Sequence, residues 1–232
     1  MVYVISDIHG HFDEFMEILK MIDFKDSDEL YVLGDSIDKG PKSIETLSYC
    51  LEHTNIHMCL GNHEYMMYKY ITSIKHDNWY DRKWFQAQWF GNNFGRKTYD
   101  QYMKLPPYKR EQIYRRLYNM PLCFPDVRVG DKSYYLVHSC PLKTDQDTIP
   151  CTNNCTDSEI ENSVWARYVV PIDGKMVIHG HTICDDEKIR FSEEVINIDC
   201  GAAADWSLGC LRLDDLKEYY IRLSHSRYDD IK

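Results

Sequence analysis

The chain has 232 residues, with 27 Lys and Arg against 37 Asp and Glu, a formal charge of −10 with histidine neutral. This length suits one large domain or at most two small ones, and the acidic balance argues against a general nucleic-acid binder, whose affinity rests on clustered Lys and Arg. With 44% hydrophobic and 13% aromatic residues, the chain is too apolar and too rich in Tyr and Trp to stay disordered.

Residues 1–10 lack the basic, apolar, small-residue order of a signal peptide, and no stretch reaches the ~18 apolar residues of a membrane span. The expectation is a cytoplasmic protein with no membrane partner. The 9 cysteines are odd in number and mostly sit in apolar segments such as Tyr49-Cys50-Leu51, as reduced thiols do. Cys151 and Cys155 share a polar loop. A single C-x3-C without a second pair reads as unpaired thiols rather than zinc ligands.

In chain order, residues 2–5 read as a strand, and 12–22 as a helix because Phe12, Phe15, Ile18, Leu19 and Ile22 share one face. Residues 30–33 form the next strand, Pro41 at the first helical position opens a helix over 42–51, and 56–60 is a third strand. This β-α-β-α-β order predicts a layered α/β fold with buried, parallel opening strands. Residues 64–118, rich in Tyr, Trp, Lys and Arg, read as helical cover, with the aromatics packed inward. Strands return at 134–137, 176–178, 195–198, 210–213 and 219–223, with a helix over about 157–168 opened by a Ser158/Glu161 capping box. The strands at 195–198 and 210–213 read as antiparallel neighbours, which makes the sheet mixed. No repeat or linker interrupts the chain, so 1–232 is expected to be one domain.

Chemistry gathers at strand ends. The first strand runs into Asp7-x-His9-Gly10, the second into Gly34-Asp35-Ser36-Ile37-Asp38-Lys39-Gly40, and the third into Gly61-Asn62-His63-Glu64; two later strands end in His138 and in His179-Gly180-His181-Thr182. Side chains at the carboxyl ends of neighbouring strands converge on one crevice. Singly, each pattern is ordinary turn or cap chemistry. Together they offer carboxylate, imidazole and amide donors without thiolate, a set suited to manganese, iron or zinc.

These motifs resemble the phosphoprotein phosphatase branch of the metallophosphoesterases, in particular the short bacterial and phage-type serine/threonine phosphatases and their relatives, the symmetrical dinucleoside-tetraphosphate hydrolases. The family's Gly-Asp-x-His-Gly, Gly-Asp-x-x-Asp-Arg-Gly, Gly-Asn-His-Glu, later His and Gly-His-Thr stand here at 6–10, 34–40, 61–64, His138 and 180–182. Likeness continues through Trp89-Phe90-Gly91-Asn92-Asn93 with Thr98 and Tyr102, Met120-Pro121-Leu122, Trp165-Ala166-Arg167 and Ile198-Asp199-Cys200-Gly201-Ala202. The resemblance implies a four-layer α-β-β-α sandwich with mixed sheets and a helical insertion at about 64–118. It implies two divalent ions, manganese first, one held by Asp7, His9 and Asp35, the other by Asp35, Asn62, His138 and His181. Metal-bound hydroxide would attack phosphorus directly, with His63 as general acid and Asp38 orienting and charging its ring. Lys39, Arg167 and Asn62 would bind the substrate phosphate. Lys39 departs from the family's Arg and gives a point charge instead of a bidentate fork, and Ser6 replaces Gly. His179 is expected to stay outside the ligand set.

The resulting expectation is a serine/threonine protein phosphatase acting on a phosphorylated protein or peptide, with a bis(5'-nucleosyl)-tetraphosphatase, whose substrate is a nucleotide polyphosphate, as the alternative and an inactive scaffold as the remote one. Asp38 favours the first, since the tetraphosphate hydrolases usually lack an Asp there. The basic residues Arg96, Lys97, Lys104, Lys109, Arg110, Arg115 and Arg116 read either as a solvated helix face or as a patch overhanging the site and attracting anions.

Overall fold

The computed structural model describes residues 1–142 and 149–223. Its first sheet is built on three parallel strands, β1 (Val2–Ile5), β2 (Glu29–Val32) and β3 (Ile56–Met58), joined by the helices α1 (Phe12–Met21) and α2 (Ser43–Glu52). After β3 come α3 (Asn62–Lys75), α4 (Trp79–Gln86), a π-helical turn (Ala87–Asn92), α5 (Arg96–Lys104) and α6 (Pro107–Tyr118). The chain then forms β4 (Cys123–Val129), β5 (Lys132–Val137), α7 (Asp157–Trp165), β6 (Met176–His179), β7 (Arg190–Phe191), β8 (Val195–Asn197), β9 (Ser207–Arg212) and β10 (Lys217–Arg222). Two mixed five-stranded sheets result, in the orders β10-β9-β1-β2-β3 and β4-β5-β6-β8-β7. Among the described residues no helix is long and apolar enough to cross a membrane.

Period-two alternation buries both faces of the central strands. In β1, Tyr3 and Ile5 face the helices, packing with Phe15, Ile18 and Leu47, while Val4 faces the second sheet with Leu33, Tyr134, Leu136, Ile178 and Ile196. Tyr135, Val137 and Val177 form a smaller cluster on the far side of the second sheet, against Val169 and Ile172. The layered, mixed α/β architecture expected from the sequence is the one observed.

Local details differ. The strands at 195–198 and 210–213 are not neighbours: β8 lies in the second sheet beside β6 and β7, and β9 in the first, antiparallel to β1. Between them the chain crosses from one sheet to the other through a 3-10 turn at Ala202–Ala204, flanked by left-handed Gly201 and Asp205. Pro41 is not the first residue of α2, which starts at Ser43 after Lys42. Lys42 donates its N–H to Gly10, and the side chain of Gln101 both accepts from Ile44 N and donates to Pro41 O, so a residue of α5 fixes this helix start. The capping box of α7 is Thr156 with Glu159, two residues earlier than Ser158 with Glu161. The sequence reading also missed β4, an edge strand with Pro125 at an irregularity in register between Phe124 and Val127. Proline lacks the donor a ladder needs and is tolerated at such edges.

The aromatic stripe divides. Phe85, Trp89 and Tyr102 are buried as expected, but Trp79, Tyr80, Trp84, Tyr108 and Tyr118 are exposed.

Candidate functional site

β1, β2 and β3 run parallel, so their carboxyl ends share one edge of the sheet. The loops that follow are zipped together by His9 N donating to Asp35 O (2.9 Å) and Gly10 N donating to Ser36 O (2.8 Å). From the second sheet, His138 follows β5 and His181 follows β6, and Gly180 N donates to His138 O (2.9 Å). His181 N donates to Asp7 Oδ2 (3.0 Å), which joins the two sheets at this edge. Left-handed backbone gathers here: of twelve described non-glycine residues with positive φ, six are Asp7, His9, Asp35, Asp38, Lys39 and His181. Such strain costs roughly 1–3 kcal/mol per residue and clusters at functional sites. Gly61 is required by close approach, since a Cβ there would lie 2.2 Å from Asp35 Oδ1.

The donor groups form two overlapping sets. Asp35 Oδ2 lies 3.8 Å from His9 Nε2, 3.8 Å from His63 Nε2 and 3.5 Å from His138 Nε2, and Asp7 Oδ1 lies 3.9 Å from His9 Nε2. Asp35, His138 and His181 place ligand atoms within 4.8 Å of one another, as do His9, Asp35 and His63. The tautomers follow from the second partners. Nδ1 of His9 meets Ile37 O (3.0 Å) and Nδ1 of His138 meets Leu33 O (2.7 Å); a carbonyl only accepts, so each Nδ1 donates. Burial, ahead of the neighbouring imidazoles, holds both rings well below the usual histidine range, so they are neutral and turn an Nε2 lone pair inward. For His138 that lone pair faces Asn62 Oδ1 at 3.0 Å, which is also an acceptor. His181 Nε2 is buried without a hydrogen-bond partner among the described residues, and burial pushes this ring down to about 4. Burial first, then Asp199, raises Asp7 well above the carboxylate range; burial first, then Asp7, does the same to Asp35. The inward lone pairs of these imidazoles, converging with the Asp7 and Asp35 carboxylates, fit divalent cations.

His63 and Asp38 form a buried pair beside this cluster, Nδ1 to Oδ2 at 2.6 Å. Lys39 follows Asp38 directly, and its Nζ lies 4.3 Å from the centre of the Phe94 ring. Arg167 is exposed after α7, and its charge bears on His181 and Asp199. His179 is buried with Nδ1 at 2.9 Å from Gly180 O and belongs to neither donor set. The thiols of Cys151 and Cys155 are free. Of the basic residues on α5 and α6, Arg96 pairs with Asp100, Arg115 with Glu111 and Lys109 with Glu52. The cavities lined by Arg116, Arg110 and Lys109 share no residue with the donor cluster, which supports the solvated-face reading.

Sequence reasoning assigned no role to Glu64, Asp199, Trp89 or Thr98. Glu64 is fully buried and binds the Asp35 loop. Asp199 is buried near Asp7 and pushed up to about 6 by burial, Gly201 N–H and Arg167 opposing the shift. Trp89 and Thr98 both bond the Asp38 carboxylate.

Residues 1–185 match the family described as calcineurin-like phosphoesterase. Among curated proteins, the symmetrical bis(5'-nucleosyl)-tetraphosphatase of Neisseria gonorrhoeae (strain NCCP11945) is 45% identical over 64 residues, 27% of this chain and 23% of that protein. The protein of the same name from Buchnera aphidicola subsp. Baizongia pistaciae is 43% identical over 75 residues, 32% of this chain and 27% of that one. The matched stretches span about a quarter of the length of these relatives. Among solved structures, a putative diadenosine tetraphosphatase superposes with TM-score 0.56 at 18% identity, covering 97% of this chain and 94% of the other. A Saccharomyces cerevisiae protein serine/threonine phosphatase with similarity to human PP5 superposes with TM-score 0.60 at 13% identity, covering 100% and 82%. At these identities the structural likenesses show the fold.

Proposed function

The chain belongs to the calcineurin-like phosphoesterase family and is a metallophosphoesterase hydrolase, and from that premise we propose that it cleaves a phosphorus–oxygen bond at a two-metal site, with His63 giving a proton to the leaving oxygen. Asp7, His9 and Asp35 would hold one divalent ion, and Asp35, Asn62, His138 and His181 the other. When bound, such a pair supplies Lewis acidity, charge neutralisation and a water of lowered pKa. Lys39 and Arg167 bring positive charge to phosphate oxygens at the edge of the cluster. His63 keeps Nδ1 on Asp38 and presents Nε2 on the side of Asp35, where a phosphoryl group would lie. The Asp38 contact leaves Nε2 as the nitrogen free to pass a proton to the leaving oxygen. The His63–Asp38 pair beside the Asp35 donors is the observation that carries this reading.

For the substrate, the names of the curated relatives support a nucleoside polyphosphate of the dinucleoside tetraphosphate type, the alternative drawn from the sequence, ahead of a phosphorylated protein. A second reading, a phosphoserine or phosphothreonine monoester, is favoured by Asp38: an alkoxide leaves far worse than a nucleoside diphosphate and has more need of a charged proton donor. A panel on the manganese-loaded protein separates them. Diadenosine tetraphosphate should be split into two nucleoside diphosphates with kcat/KM about tenfold or more above that for phosphoserine and phosphothreonine peptides, a gap of about 1.4 kcal/mol in transition-state binding. The reverse order would replace the first substrate by the second. Hydrolysis of neither would overturn both.

A further inference from the structure

The carboxylate of Asp38, 1% exposed, is held from three sides. Oδ2 lies 2.6 Å from His63 Nδ1 and 2.7 Å from Trp89 Nε1, and Oδ1 accepts from the hydroxyl of Thr98. Trp89 and Thr98 are themselves 0% exposed. Neither comes from a strand end: Trp89 lies in the π-helical turn and Thr98 in α5, respectively 51 and 60 residues from Asp38 in sequence.

The chemistry of these donors restricts the histidine. An indole N–H only donates and an ionised carboxylate only accepts, so the Trp89 N–H on Oδ2 and the Thr98 hydroxyl on Oδ1 match Asp38 as a carboxylate. His63 Nδ1, bonded to the same oxygen, is then the donor of its own hydrogen bond. The ring is thereby held in one orientation, with Nε2 as the nitrogen that faces Asp35 at 3.8 Å. Thr98 on the second oxygen stops the carboxylate from rotating out of this arrangement. The segment is shaped for the contact. Gly95 N donates to Trp89 O (2.8 Å), and a Cβ on Gly95 would lie 2.1 Å from Trp89 Nε1, so only glycine lets the indole edge reach Asp38. A buried indole needs some acceptor. Here two separate turns of the helical segment direct their donors to the one carboxylate that orients His63.

We infer that Trp89 and Thr98 are positioning residues for proton delivery to the leaving oxygen, acting through Asp38 on His63. The inference rests on the proton-donor reading above. As the bond from phosphorus to the leaving oxygen breaks, its electron pair stays on that oxygen, which takes the proton from Nε2; a new bond from phosphorus to a water oxygen replaces it. The ring is left neutral, with Nδ1–H still on Asp38. Misorientation of the ring therefore harms substrates in proportion to how much their leaving oxygen needs that proton.

The test compares phenyl phosphate, a poor leaving group, with p-nitrophenyl phosphate, a good one, on the manganese-loaded full chain. Thr98→Val keeps the buried volume and removes the hydroxyl, and Trp89→Phe removes the indole N–H with a smaller ring in its place. Each should lower kcat on phenyl phosphate about tenfold or more while lowering it less than about threefold on p-nitrophenyl phosphate, with little change in KM. Thr98→Ser, which restores the hydroxyl, should recover most of the loss. His63→Asn serves as the reference and should show the same selectivity at larger amplitude. Equal losses on both substrates, or no recovery by Thr98→Ser, would mean a packing role and overturn the inference alone. Selective loss in His63→Asn without it in Trp89→Phe and Thr98→Val also overturns the inference alone. No selectivity in His63→Asn removes the proton-donor reading and the inference with it. Should Trp89→Phe fail to fold, the Thr98→Val and Thr98→Ser pair decides.

Discussion

Glu64 accepts four hydrogen bonds without facing the donor cluster: from the backbone N–H groups of Asp35 (2.8 Å), Ser36 (2.8 Å) and Gly61 (3.2 Å) and from the hydroxyl of Ser36 (2.9 Å). Four donors on two oxygens suit an ionised carboxylate, although burial, the largest influence, raises its pKa. Glu64→Gln keeps the shape but points an amide NH2 at groups that also donate. It should cost about 1–3 kcal/mol, the scale for leaving a buried donor unpaired, read from urea unfolding of the metal-free protein. Unfolding at the wild-type midpoint would show that Glu64 does not hold the Asp35 loop. The strand-end residues Asp7, His9, Asp35, Asp38, Asn62 and His63 could be singled out in the sequence because an apolar run, a small residue and a polar group recur together. Glu64 was quoted there within a motif but given no task, because its partners lie 28 and 29 residues away. Trp89 reads as helix packing and Thr98 has no task for the same reason: periodicity reports which face is buried and is silent on which polar atom a buried donor meets.

Strands were legible where both faces are buried. β1 is a continuous apolar run, β2 and β3 depart from one only at Glu29 and His57, and the parallel pairing of the three followed from the helices between them. β4 was hidden by Pro125, and β8 was given the wrong neighbour because closeness in sequence suggested a hairpin where the chain changes sheets. Helix starts moved when a distant side chain supplied the cap, as Gln101 does for α2. The two-sheet packing makes its own prediction. Leu136 on β5 is fully buried between the sheets, beside Leu33 and Ile178. Leu136→Ala should destabilise the protein by about 2–5 kcal/mol, the range for a large-to-small change that leaves a cavity. A loss below about 1 kcal/mol in chemical denaturation would mean that the sheets do not pack tightly there.

Across the molecule, the charge of −10 is not all a surface property. Asp7, Asp35, Asp38, Glu64 and Asp199 are buried at one edge of the sandwich, where the histidines His9, His138 and His181 are held neutral by burial. Closely placed buried carboxylates repel one another unless cations stand among them. The fold therefore gathers carboxyl groups whose ionisation burial opposes at the place where divalent ions would favour it and make the pocket attractive to phosphate. Asp35 is common to both proposed donor groups, so its loss should act on the whole centre. Equilibrium manganese binding to the wild-type chain and to Asp35→Asn is the most direct measurement. Two ions per wild-type chain are expected, with affinity in Asp35→Asn about 100-fold weaker or worse, at or beyond the upper end of what losing a mere supporting contact costs. Wild-type protein that binds fewer than two, or Asp35→Asn that binds two as tightly as wild type, would contradict a two-metal centre built on Asp35.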